Sequence, residues 1–256
     1  MKIATYNANS IRVRLPAVLE WLAENEPDLL AIQETKVEDD KFPEEEFLDA
    51  GWQVCFHGQK SYNGVAIVTK GPLSDVRFGF EDPLFPEDRR IIRAKYEGIE
   101  FINTYVPNGT KVGSDKFDYK LQWLERFQQM LQSQYKAGTP FIWLGDINIA
   151  PKPEDVFESA KKLGGVGHHP KEFEALSAIV DPGLVDLFRK FHQGEGHYTY
   201  WEFFIPKAFE RNLGWRIDHI YATPDLADRC TNCWIDREPR SWERPSDHTY
   251  VIAELS

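Results

Sequence analysis

Short apolar runs in this chain keep stopping at acids, amides or a tyrosine, and this limits the fold more than any other feature. Lys2–Tyr6 stops at Asn7, Asp28–Gln33 stops at Glu34, Glu100–Val106 carries Tyr105 near its end, and Phe141–Leu144 runs into Gly145-Asp146-Ile147-Asn148. Two late runs, Arg216–Ala222 and His248–Leu255, begin beside Asp218 and Asp247-His248. Runs of this length and composition suit buried strands. A buried strand holds a polar side chain only where that side chain finds a partner. One acid at a strand end is an ordinary turn former. A set of them spread over the whole chain points to polar tips that meet in one place. Because side chains alternate along a strand, Asp146 and Asn148 share a face if the strand continues, and so do Asn7 and Asn9.

Helical spacing separates these runs. Leu15, Val18, Leu19 and Leu22 lie on one helical face, and Asn25 to Pro27 ends that helix. A longer helix is predicted over Asp118–Lys136, with Leu121, Leu124, Phe127 and Leu131 facing inward and Gly138 just past its end. Shorter helices are predicted around Pro170–Val180 and Gly183–Phe191, and a further strand over Gly64–Thr69. The mixture predicts an α/β chain with a large two-sheet core covered by helices, and not a regular βαβ winding. The 256 residues, 42% hydrophobic and 14% aromatic, suffice for one packed domain over residues 1–256. No linker, low-complexity tract or strong sequence repeat is visible.

The net charge of −11 argues against a generally basic nucleic-acid binder. A divalent-cation site needs several carboxylates, however, and a phosphate backbone responds to the local field and not to the sum. Basic residues stand in several polar segments, Arg12, Arg14, Lys36, Lys60, Arg89, Arg90, Lys111, Lys116 and Lys120, and most of them read as solvated charges. Cys55, Cys230 and Cys233 make an odd count that suits a reducing compartment. Cys230-x-x-Cys233 lacks the second ligand pair that a zinc site requires. With no apolar signal-like segment after Met1 and no membrane-length apolar run, the expectation is a soluble, cytoplasmic monomer without membrane contact.

The polar tips suit phosphoester hydrolysis. Hard oxygen ligands such as Glu34 and Asp247 hold Mg²⁺. A carboxylate such as Asp146 orients and deprotonates a water. An imidazole such as His248, held by Asp218, stabilises charge on a phosphate oxygen. No Gly-x-Ser-x-Gly elbow is present, so water is the simpler nucleophile.

Six motifs, in order along the chain, resemble the exonuclease III family of AP endonucleases. They are Tyr6-Asn7-Ala8-Asn9-Ser10-Ile11-Arg12, Gln33-Glu34-Thr35-Lys36, Tyr105-Val106-Pro107-Asn108-Gly109, Gly145-Asp146-Ile147-Asn148-Ile149-Ala150-Pro151, Arg216-Ile217-Asp218 and Pro245-Ser246-Asp247-His248. His57-Gly58-Gln59-Lys60 followed by Gly64-Val65-Ala66 is similar too. The resemblance implies a four-layer α/β sandwich of two packed mixed β-sheets flanked by helices. It implies Mg²⁺-dependent hydrolysis (Mn²⁺ as the substitute ion) of double-stranded DNA 5′ to abasic sites, with 3′→5′ exonuclease action and cleaning of damaged 3′ ends. Carried over by motif, Glu34 is the metal ligand, with Asn7, Asn9 and Asp247 around it. Asp146 positions the water, while Tyr105, Asn148 and the Asp218–His248 pair hold and polarise the phosphate. Arg89, Arg90, Asn108, Lys116, Lys120, Trp201 and Phe203 are the candidate DNA contacts.

The chain departs from the family in Trp201-Glu202-Phe203-Phe204-Ile205-Pro206, where an Asp-Tyr-Arg usually follows an aromatic pair; a core role for these aromatics is the competing reading. Gly167 stands where some members carry a bulky residue that crowds an internal abasic nucleotide, which implies that such sites are accepted here. His168 and His169 lie beside it without the partners a metal site needs. Two alternatives remain: a phosphoesterase of the same fold acting on a non-DNA substrate, and a non-catalytic module. The second predicts a loss of carboxylates that this sequence does not show.

Overall fold

The computed structural model describes residues 1–82, 88–136 and 138–256. Its strands form two six-stranded sheets. The first contains β1 (Lys2–Asn7), β2 (Leu29–Gln33), β3 (Gln53–His57), β4 (Val65–Thr69), β11 (Cys230–Asp236) and β12 (Tyr250–Leu255), in the order β11-β12-β1-β2-β4-β3. The second contains β5 (Ser74–Phe78), β6 (Ile91–Tyr96), β7 (Ile99–Tyr105), β8 (Phe141–Asp146), β9 (Val185–Asp186) and β10 (Asp218–Ala222), in the order β5-β6-β7-β8-β10-β9. Each sheet has one parallel pair, β1 with β2 and β7 with β8, and its other neighbours are antiparallel. The two sheets therefore repeat one strand plan, although the sequence shows no repeat.

The helices are α1 (Ile11–Asn25), α2 (Glu44–Asp49), α3 (Asp115–Gln134), α4 (Ser159–Lys162), α5 (Pro170–Val180), α6 (Leu187–Phe191) and α7 (Pro224–Arg229). Parallel strands need a crossover, and α1 and α3 lie between the strands of the two parallel pairs. Val18, Trp21 and Leu22 of α1 and Phe47 of α2 pack on Ala4, Tyr6, Leu30 and Ile32, the outer face of the first sheet. Trp123, Leu124 and Phe127 of α3, with Leu176 and Ile179 of α5, cover Ile102 and Trp143 on the second. Between the sheets lie Ile3, Leu29, Ala31, Phe101, Ile142, Leu144 and Ile220. This is the four-layer arrangement.

Period-two alternation carries the inner face past its apolar part. Ile3 continues to Thr5 and Asn7, Ala31 to Gln33, Phe101 to Asn103 and Tyr105, and Leu144 to Asp146. Polar residues begin joining the sheets here: Gln33 Nε2 donates to Thr5 Oγ1 at 2.9 Å and across the interface to Asn103 Oδ1 at 2.8 Å. Gly145 lets β8 lie close to β7, because a Cβ there would come within 2.0 Å of the Thr104 carbonyl oxygen.

The expected strands and Pro170–Val180 fall where the sequence places them, with shifts of one or two residues at most strand ends. Other expectations need correction. α3 starts three residues early, at Asp115, because Ser114 caps it by accepting from Phe117 N. Its buried face includes Phe117 and Lys120, whereas Leu121 is only half-buried. The helix expected over Gly183–Phe191 is limited to Leu187–Phe191, with strand β9 before it. The strands β3, β5, β6 and β11 were not expected at all, although β6 is buried.

Candidate active site

Every element that contributes to the site ends at the same edge of the sandwich. β1 delivers Asn7, the residue after β2 is Glu34, β7 ends in Tyr105, β8 in Asp146, and β10 begins with Asp218. The segment before β12 brings Asp247 and His248. Two turns extend the set. Asn9 N donates to Asn7 Oδ1 and Asn148 N to Asp146 Oδ1, both at 2.9 Å. These are side-chain turns that suit Asn and Asp. Asn9 and Asn148 both have φ in the left-handed region, 44° and 54°. Strand alternation therefore does not reach them, contrary to expectation, and the turns place them instead.

Asn7 lies at the centre. Its Nδ2 donates to Glu34 Oε1 and to Asp146 Oδ2, each at 2.8 Å. Asn9 Nδ2 donates to Asp247 Oδ1 at 2.9 Å. His248 Nδ1 donates to Asp218 Oδ2 at 2.8 Å, which leaves Nε2 pointing toward Asp146 Oδ2 at 3.8 Å. Asn148 is tied to the neighbouring loop: its Nδ2 donates to Val106 O at 2.9 Å, and its Oδ1 accepts from Asn108 Nδ2 at 3.1 Å. The two ends of the chain are joined as well, since Ser246 Oγ donates to Asn7 O at 2.7 Å and Arg14 donates to both Asn9 O and Pro245 O.

Protonation follows from this crowding. Burial pushes the Asp146 carboxyl above the usual carboxylate range; the His248 charge opposes that push, and Asp218 and Glu34 add to it. Burial alone would depress His248, but Asp218, Asp146 and Asp247 lift it to about 10, so the ring is an imidazolium at neutral pH. Burial and the nearby Glu34 and Asp146 carboxylates hold the Tyr105 phenol well above 10, so it remains a donor and is hydrogen-bonded to Glu34.

Glu34, Asp146 and His248 each offer an atom within 4.8 Å of the others, a spacing compatible with one metal ion. A protonated imidazole fixed to Asp218 is a poor ligand, and a carboxyl held above its usual range as Asp146 is suits a base, so Glu34 is the better ligand. Hard oxygen donors with few compensating cations fit a small divalent ion. Asp247 stands one step away, behind Asn9. Lys36 is the nearby cation that the sequence reading left among the solvated charges; its Nζ lies 2.6 Å from Glu34 Oε2 and 2.5 Å from Asn9 Oδ1. Tyr200 was also missed. Its ring centroid lies 4.9 Å from that of His248. So was Thr199, whose Oγ1 accepts from the backbone N–H of Ile217 and Asp218. A lone Thr-Tyr pair carries no signal that would have singled these residues out.

The expected DNA contacts divide. Arg90 lies 4.6 Å over the Tyr105 ring and donates to Tyr105 O, and Arg89 lies against His57. Asn108 and Lys116 are exposed. Phe203 is half exposed, and Phe204, which was not among the candidates, is 91% exposed. Lys120 and Trp201 need correction, because both are fully buried and cannot touch a duplex. Lys120 is paired with Glu172. Trp201 lies beneath Arg237 and Arg240, and its backbone N–H donates to Asp247 O at 2.9 Å. For Trp201 the core reading is therefore the right one.

Residues 4–248 match the Endonuclease/Exonuclease/phosphatase family. Exodeoxyribonuclease III of Haemophilus influenzae is 35% identical, the match covering all of both chains. The solved AP endonuclease of Archaeoglobus fulgidus is 46% identical, with a TM-score of 0.96 over 100% of this chain and 99% of that one. The 3′ phosphatase NExo from Neisseria, solved with a product DNA hairpin, is 39% identical with a TM-score of 0.94, over 100% of this chain and 99% of its own. With matches of this extent, the chain belongs to the exodeoxyribonuclease III branch of the Endonuclease/Exonuclease/phosphatase family.

Proposed function

We propose that this protein is a divalent-cation-dependent DNA-repair nuclease. It hydrolyses the phosphodiester 5′ to abasic sites in double-stranded DNA and trims or cleans damaged 3′ ends. The observation that carries this reading is the meeting of Asn7, Glu34, Tyr105, Asp146, Asn148, Asp218 and His248 at one edge of the sandwich. The relatives named above are an exodeoxyribonuclease, an AP endonuclease and a 3′ phosphatase solved with DNA, which supports a DNA phosphoester as substrate. Mg²⁺, with Mn²⁺ as a substitute, would be held by Glu34, with Asn7, Asn9 and Asp247 around it, and would neutralise phosphate charge and stabilise the leaving oxygen.

The chain's own groups do the rest. Asp146, fixed by Asn7 and by the Asn148 N–H, receives a proton from the attacking water; its upward-shifted carboxyl makes it a better base than an ordinary aspartate. The His248 imidazolium, aimed by Asp218, donates from Nε2 to a non-bridging phosphate oxygen as charge builds there. Tyr105 offers a second donor, a neutral one. Arg89, Arg90, Asn108, Lys116 and Phe203 are read as the duplex contacts, and Gly167 as the residue that leaves room for an internal abasic nucleotide. The protein is further read as a cytoplasmic monomer. Among the described residues, no helix is long and apolar enough to cross a membrane.

The test uses a labelled abasic duplex. Wild-type protein with Mg²⁺ is expected to nick it and EDTA to stop the nicking. Asp146→Asn should lose about 10³-fold or more in kcat while still binding the duplex. An unchanged rate in Asp146→Asn would remove Asp146 from the mechanism, and a wild type that trims 3′ ends but leaves the abasic site intact would overturn the role given to Gly167.

A further inference from the structure

Lys120 and Glu172 form an ion pair with both side chains fully excluded from solvent. Such a pair is a weak source of stability, because apolar residues of similar size often serve as well. Its value must lie in what it binds. The Lys120 ammonium has three protons and three acceptors: Glu172 Oε1 at 2.5 Å, Asn148 O at 2.8 Å and Asn108 O at 3.2 Å. Glu172 spends its remaining capacity on backbone, Oε1 accepting from Gly167 N and Oε2 from His169 N, each at 3.1 Å. Three segments distant in sequence therefore meet on one pair: the loop after β7, the loop after β8 and the turn before α5. Ala150 N also donates to Gly167 O at 2.7 Å, which draws the last two together.

Asn148 is the residue that most needs holding. Its left-handed backbone is unfavourable for a side-chain-bearing residue, and its N–H is the donor that fixes Asp146 Oδ1. We infer that the Lys120–Glu172 pair is a positioning device for Asp146. It clamps the Asn148 carbonyl, and through it the left-handed backbone of that residue, so that the N–H on the other side of its Cα stays aimed at the carboxylate, and it fixes the Gly167–His169 turn against the same loop. Lys120 acts through Asn148 and touches no DNA.

The inference rests on the proposed nuclease reading, so its test combines an activity measurement with one that needs no substrate. In the double variant Lys120→Met, Glu172→Gln, the buried charges are gone and the shapes are nearly kept. It should melt close to the wild type yet lose about 100-fold in kcat, the usual cost of a small misplacement. KM on the abasic duplex should change by less than about threefold, a split that general destabilisation does not produce. Native-state hydrogen exchange of the Asn148 amide should quicken in the variant while Leu144 stays protected. A folded variant with wild-type kcat and a protected Asn148 amide overturns the inference. Should the variant not fold, the wild type still decides. The Asn148, Gly167 and His169 amides must exchange together as one protected unit, and rapid exchange at Asn148 overturns it. If the wild type cleaves no DNA, the functional reading fails, and the exchange data judge the clamp independently.

Discussion

His248 keeps its proton because three carboxylates face it. With its pKa lifted to about 10, the imidazolium should persist through the neutral and mildly alkaline range, so the alkaline loss of activity should come as pH rises toward that value, while protonation of the upward-shifted Asp146 base should lower activity on the acid side. Asp218 is the largest of the lifting charges. In Asp218→Asn the proton is held less tightly and leaves at lower pH, so the alkaline limb of the kcat profile should move down. At neutral pH kcat should drop by about 10²- to 10³-fold. A pH–rate series on both proteins checks this, and an unmoved limb would dissociate His248 from the alkaline loss. Lys116, exposed near the start of α3, tests the duplex contacts: Lys116→Ala should weaken binding to all sequences alike and reduce the slope of log affinity against log salt by about one.

Among the elements, the join between β9, β10 and the loop after β8 depends on buried charge. Arg216 Nε donates to Asp155 at 2.7 Å and Nη2 to Asp186 at 2.8 Å, and Arg189 also donates to Asp155. Burial would raise both carboxyls, but Arg216 and its neighbours hold them below the usual range. A lowered folded pKa means stability that is fully present above the unfolded value, roughly 3.9, and is lost as pH falls through the folded value. The share of stability owed to this pair should therefore be constant from neutral pH to about 4 and drop below it, so melting curves of wild type and Arg216→Met should converge only in acid. Arg216→Met takes the shared cation from Asp155, which keeps Arg189, and from the half-buried Asp186, and should cost roughly 3–5 kcal/mol at neutral pH, while flattening the acid drop. At the start of α3, Ser114→Ala removes the cap and should cost about 1 kcal/mol in denaturant melts.

Over the whole molecule, what was legible in the sequence depended on burial. β1, β2, β4 and β8 are covered on both faces, so they read as continuous apolar runs whose polar ends stood out. The edge strand β5 is mostly exposed and β11 mixes Cys, Thr and Asn, so neither differs in composition from a loop. The inward face of α3 was misjudged because periodicity assumes that a lysine points outward, and Lys120 does not. Trp201 was misassigned for the same reason: a residue's identity does not state its exposure. Periodicity favoured a two-sheet core, but the four layers came from the family likeness. Nothing local announces that two sheets without sequence repeat will share one strand plan.

That Asn7 and His248 meet across the chain's full span has a consequence for how the protein is made. β12 pairs directly with β1, and Ser246 holds the Asn7 carbonyl. Neither the pairing nor the imidazole exists until translation has passed residue 248. A ribosome-tethered fragment that stops short of residue 248, however well its earlier strands have collapsed, lacks both the β1–β12 pairing and the imidazole, and competence to cut waits for that stretch.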